Sequence, residues 1–175
     1  RASKYQEIIK NNALKNKISS SLVFAIMHTE SAFNPMARSN IPAYGLMQIV
    51  PESAGRDVAN RLYKKDKIFS AEYLYDEKNN IQAGSTYINI LYYSYLKGVN
   101  DPLSRLYCVI AAYNTGAGNV AKAFAGSRNL SKAFPIINSM TPQQVYEALV
   151  KQLPYEETQE YLKRVVQRQK LYTNV

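Results

Sequence analysis

The chain has 175 residues, 46% of them hydrophobic, and carries 22 Lys and Arg against 13 Asp and Glu, a formal net charge of +9. That length suits one domain with a real core, with or without a smaller lobe, the composition excludes a disordered chain, and no stretch approaches the roughly 20 apolar residues of a bilayer-spanning helix. One Cys and one His exclude an internal disulfide and a conventional zinc site, and no calcium-loop spacing of acids occurs.

In chain order, periodicity predicts a first helix over about residues 4–16, with Tyr5, Ile8, Ile9 and Leu14 near one face. Ser19, Ser20 or Ser21 can cap a second helix ending near Phe33, because Asn34 precedes Pro35 and is disfavoured in helical geometry. The stretch "ARSNIPAYGLMQIVPES" then breaks the pattern with Pro42, Gly45 and Pro51. It is read as loop and short irregular strands, a small hairpin at most. Helices resume over about 52–62, 77–96, 101–115, 117–125, 142–153 and 155–171, with Pro102, Pro142 and Pro154 in first-turn slots. The fold class expected is mainly α, with one β-hairpin or loop excursion after the second helix. No linker or repeat divides it, so residues 1–175 are read as one domain. Cys108, in the apolar run "LYCVIAAY", is read as a core residue.

The chemistry concentrates at Glu30. Leu22, Ile26, Thr29, Glu30 and Phe33 share one helical stripe, so the glutamate extends an apolar face. Lost hydration there raises a carboxyl above its ordinary value of about 4.3 and lets it donate a proton near neutrality, the property a glycosidase acid needs. Taken alone, Glu30 reads more readily as a solvated residue at a frayed helix end; its neighbours tilt the balance. Ser39 brings a small hydroxyl. "GLMQIVP" brings Gly45 for close backbone approach, Met47 as a soft contact or core filler, and Gln48, whose amide both donates and accepts. "AAYNTGAGNV" ends a helix on Tyr113, able to stack on a pyranose, and Asn114. Gly116, Gly118 and Ala121 mimic a dinucleotide fingerprint there, but no strand precedes them and no acid follows at the required distance. In "PYEETQEYLKRVV", Glu157, Tyr161 and Val165 recur at i+4 on one face. His28 points away from the Glu30 stripe and is left out of the site.

This ordered set, "ES" at 30–31, Ser39, "GLMQIVP" at 45–51, "AAYNTGAGNV" at 111–120 and "PYEETQEYL" at 154–162, resembles the lytic transglycosylases of the soluble type, which share the goose-type lysozyme fold. The resemblance covers nearly the whole chain. It implies a lysozyme-like helical domain that cleaves the β-1,4 bond between N-acetylmuramic acid and N-acetylglucosamine in peptidoglycan. It implies Glu30 as catalytic acid and base, and Ser39, Met47, Gln48, Tyr113, Asn114 and Tyr161 as substrate-binding residues, with no metal and no cofactor. Val50 departs from relatives that carry Met, and the Tyr-rich stretch 87–95 has no family role. A periplasmic monomer acting on glycan strands is expected, without nucleic acid. The chain opens on Arg1 and not on Met, so an earlier segment is expected to be missing and to attach the full protein to the outer membrane.

Glycosidases ordinarily use two carboxyls. One suffices if the sugar's own 6-hydroxyl attacks, closing a 1,6-anhydro ring without water. Three rival readings fit the same sequence: a hydrolytic muramidase using a second acid such as Glu52 or Asp57, a non-catalytic wall-binding scaffold, and a nucleic-acid binder suggested only by charge. Stem-peptide carboxylates account for that charge equally well.

Overall fold

Serine, aspartate, asparagine and threonine caps start most of the helices. Ser19 accepts a bond from the Leu22 amide, Ser70 from Tyr73, Asp101 from Ser104 and Thr141 from Gln144, the last within a full capping box. The computed structural model describes residues 1–175. Its α-helices are α1 (Gln6–Lys15), α2 (Ser20–Ser31), α3 (Ala54–Tyr63), α4 (Ala71–Tyr75), α5 (Glu77–Ile90), α6 (Pro102–Thr115), α7 (Ala117–Ala125), α8 (Leu130–Asn138), α9 (Pro142–Gln152) and α10 (Glu156–Gln169). Short 3₁₀ turns occupy Ala2–Tyr5 and Lys170–Tyr172, and Leu91–Tyr95 is π-helical. The architecture is mainly α, and the expected excursion holds only two isolated antiparallel bridges, Arg38 with Tyr44 and Tyr44 with Ile49.

Two units make up the chain: Arg1–Ile90 with Arg168–Val175, and Leu91–Gln167. In the first, α1 packs on α2 and α5, α3 and α4 pack on α5, and the Lys170–Tyr172 turn packs on α2. Leu22 through Met27 are all buried, six in succession. A helix buried on every side is a core helix and not a surface one with a single apolar stripe. In the second unit α6, α7 and α9 pack on one another, with α8 against α7. Cys108 lies fully buried in α6, where desolvation pushes its thiol up to about 12, so it is an inert core residue.

Three local outcomes depart from the periodicity. α2 ends at Ser31 and not near Phe33, because Ala32 and Phe33 both take left-handed backbone (φ 50° and 63°). α8 forms across "LSKAFPIIN" although Pro135 lies inside it, since Ala133 and Ile137 bury one face one turn apart. The helix expected over 77–96 changes its winding at Leu91. There the Leu96 amide reaches back five residues to the Leu91 carbonyl (2.9 Å).

Candidate active site

Glu30 stands in the last turn of α2, half-buried, where the buried core run gives way to His28, Thr29, Glu30 and Ser31. Both neighbours of the glutamate are fixed. The Thr29 hydroxyl donates to the Ala25 carbonyl (2.8 Å), and the Ser31 hydroxyl donates to the Leu46 carbonyl (2.6 Å). The second bond ties the end of the helix to the loop that carries Met47 and Gln48.

That loop is built from inside. Asn80, fully buried on α5, accepts from the Met47 amide (2.7 Å) and donates to the Tyr44 and Leu74 carbonyls (2.8 Å each). One side chain therefore satisfies the Met47 amide and the Leu74 carbonyl, and adds a second bond to the Tyr44 carbonyl that already accepts from the Ile49 amide. Gly45 is required beside it: its φ is +80°, and an added Cβ would run into the Asn80 amide. Helical spacing alone does not mark Asn80 as the anchor of this loop. The signal available was an amide directly before the apolar Ile81 in a helical stretch, a position that is costly unless its amide is satisfied.

The loop side chains have definite remaining capacity. Gln48, at a left-handed φ of 50°, uses its Nε2 on the Ala37 (3.1 Å) and Gly45 (3.0 Å) carbonyls, which leaves its Oε1 as an acceptor. The Ser39 oxygen accepts from the Ala43 amide (2.9 Å), which leaves its hydroxyl proton to donate. Met47 is fully buried with its sulfur against the Cα of Gly84, where no Cβ would fit. Its place among the expected sugar-contacting residues is therefore corrected: burial makes Met47 an anchor beneath the loop.

Tyr113, Asn114 and Tyr161 belong to the second unit. Asn114 at the end of α6 accepts from the hydroxyl of buried Thr158 (2.8 Å), so its Nδ2 remains a donor. This bond brings the end of α6 to the first turn of α10, one turn before Tyr161. Tyr113 and Tyr161 are both nearly buried, at 9% and 6% exposure. The buried face of α10 is Thr158, Tyr161, Leu162 and Val165. Glu157, expected on that face, is exposed, because a carboxylate there would lose its hydration without a partner.

The Transglycosylase SLT domain family matches residues 7–134. The chain is 46% identical over 172 residues to membrane-bound lytic murein transglycosylase C of Sodalis glossinidius and 45% identical to that of Pectobacterium atrosepticum, in each case with 98% of this chain and 47% of the relative covered. It thus spans about half the length of these curated relatives. Among solved structures, the 70-kDa soluble lytic transglycosylase of Escherichia coli aligns with a TM-score of 0.69 at 25% identity, over 96% of this chain and 24% of that one. An inactive mutant of the lytic transglycosylase Slt from Pseudomonas aeruginosa aligns with the same score, identity and coverage.

Proposed function

The chain belongs to the Transglycosylase SLT domain family, and from that premise we propose that it is a peptidoglycan lytic transglycosylase in which Glu30 serves first as general acid and then as general base. The observation that carries this reading is the position of Glu30. A half-buried carboxyl stands in the last turn of a helix whose Leu22–Met27 run is buried, between two hydroxyl residues anchored to backbone carbonyls. The Slt relative of Pseudomonas aeruginosa is made inactive by a single glutamate-to-glutamine change, which supports dependence of the family on a glutamate.

In the proposed reaction Glu30 gives its proton to the glycosidic oxygen. The bond from that oxygen to the muramic acid C1 breaks, and the N-acetyl group of the same sugar stabilises the developing cation. Ionised Glu30 then takes the proton of the sugar's 6-hydroxyl as O6 bonds to C1. The carboxyl returns to its starting state and no water is consumed. The effective concentration of a tethered hydroxyl makes this competitive with water. Gln48 accepts from, and Ser39 donates to, groups on the sugar. Tyr113, Asn114 and Tyr161 are carried over from the resemblance as substrate-binding residues, Asn114 with its Nδ2 as the donor. The curated relatives are named as membrane-bound, so the cell envelope is the proposed place of action, in the periplasm at the outer membrane.

Mass analysis of the muropeptides released from purified sacculi tests the reaction. The expected ends are 1,6-anhydro sugars, one water lighter than reducing ends. Reducing ends would replace this reading with a muramidase. Glu30→Gln should lower product release by about 10²–10⁴-fold, the usual contribution of general acid catalysis. Unchanged clearance would leave only a wall-binding scaffold.

A further inference from the structure

We propose that Arg168 and Tyr172 are positioning residues for Glu30, parts of a strap over residues 168–172 that fixes the last turn of α2. This inference rests on Glu30 being the acid of the proposed reaction. The strap grips the catalytic helix along its length. At the start, the Gln169 amide reaches the Ser21 and Ser19 hydroxyls (3.2 and 3.4 Å). In the middle, the Tyr172 ring stacks on Phe24 (centroids 5.1 Å, interplanar angle 13°). At the end, the Tyr172 hydroxyl bonds His28 Nδ1 (2.9 Å) and Arg168 Nη1 donates to Thr29 Oγ1 (3.2 Å). His28 and Thr29 are the two residues immediately before Glu30, and their partners lie 144 and 139 positions away in sequence.

The end of α2 needs outside support. A last helical turn lacks the next turn's amides for its carbonyls, and this one runs into two consecutive non-glycine residues in left-handed backbone, Ala32 and Phe33. Such conformations persist only where surrounding structure imposes them. The Phe33 ring packs edge-on to Tyr172 (6.3 Å) and against the His28 ring (5.8 Å), so the strap touches the strained residue as well as the turn before it. Thr29 Oγ1 donates to Ala25 while accepting from Arg168, which locks its rotamer. A turn held this way aims the Glu30 carboxyl. A released turn lets it swing, and a displacement of about 1 Å in a reacting group can cost on the order of 10²-fold in rate.

The test is steady-state kinetics of the whole chain on soluble peptidoglycan oligomers, comparing wild type, Glu30→Gln, Tyr172→Phe, Arg168→Gln, Arg168→Lys and the Tyr172→Phe/Arg168→Gln double variant. Tyr172→Phe keeps the ring stack and loses only the hydroxyl, so the fold is retained. Each single loss should lower kcat by about 3–10-fold with KM within about twofold, and the double variant by more than either. Arg168→Lys, which still donates to Thr29, should recover most of the rate. A lowered melting temperature with unchanged kcat in both single variants would overturn the inference, because the strap would then hold the fold and not the acid. If wild type forms no anhydro product, or Glu30→Gln still forms it, the proposed function itself fails, and the inference falls with it regardless of the strap variants.

Discussion

Asn80 does on one side chain what a strand partner would do for a loop: it answers the Met47 amide and the Tyr44 and Leu74 carbonyls in a fully buried place. Asn80→Ala strands the Met47 amide and the Leu74 carbonyl, while the Tyr44 carbonyl keeps its bond from the Ile49 amide; at about 1–3 kcal/mol for each buried group left unmade, denaturant unfolding should show a loss of about 2 kcal/mol or more. Asn80→Asp keeps the acceptor but turns a carboxylate oxygen toward the Tyr44 and Leu74 carbonyls in a fully buried place, and should cost at least as much. His28 carries a second prediction at this scale. Burial first, and then the charge of Arg168, hold its imidazole below the ordinary 6.5. Tyr172 is itself raised by burial and keeps its proton, and its hydroxyl is bonded to Nδ1 of the imidazole. The unfolded chain therefore takes up a proton near pH 6.5 that the folded chain refuses. The associated stability is fully present above that pH and is lost as pH falls through the lower folded value. Unfolding curves across this window should flatten when His28 is replaced by Gln. The type of residue needed at 48 and 39 was legible in the sequence. Which of their atoms remain available was not, because that depends on carbonyls and amides brought in by the loop's own path.

At the scale of elements, the π-helical turn after α5 is held by one residue of α6. The Arg105 guanidinium donates to the carbonyls of Val99 (2.8 Å), Lys97 (3.3 Å) and Tyr92 (3.4 Å) and lies over the Tyr92 ring (4.7 Å). It collects the carbonyls that a helix end leaves without partners, and its planar fork reaches several at once. Arg105→Met should cost about 2–3 kcal/mol in unfolding experiments and speed amide exchange around Leu96. Periodicity alone reads 77–96 as one helix, since the apolar spacing barely changes through a single π turn. α4 and α8 were illegible for related reasons. The first is only five residues long and relies on Ser70 and the Phe69–Tyr73 stack (4.3 Å, 10°), and the second contains a proline. Each is stabilised by contacts that its own sequence does not contain.

For the whole molecule, the net charge is +9, and the ion pairs of Lys4 with Glu77, Arg56 with Asp66 and Lys163 with Glu160 are exposed or half-exposed. Exposed pairs contribute little to stability, so the charge matters chiefly for encounters with an anionic polymer. Binding of Glu30→Gln to sacculi should weaken by about tenfold between roughly 0.1 M and 1 M salt, as screening shortens from about 10 Å to about 3 Å. Melting temperature should change far less over the same range. Salt-independent binding would assign recognition to the rings and hydroxyls instead of the charge.

The sequence by itself determined the mainly helical class, the break after the second helix and the carboxyl at the end of that helix. These follow from spacing, proline and glycine, which act within a few residues of themselves. The tertiary structure alone decided that α2 is buried on every side, that Met47 is core while Glu157 is exposed, and that residues 168–172 return to brace the turn bearing Glu30. The physical reason is that burial and hydrogen-bond completion are properties of neighbours. Here the neighbours that fix His28 and Thr29 are more than 130 residues away along the chain.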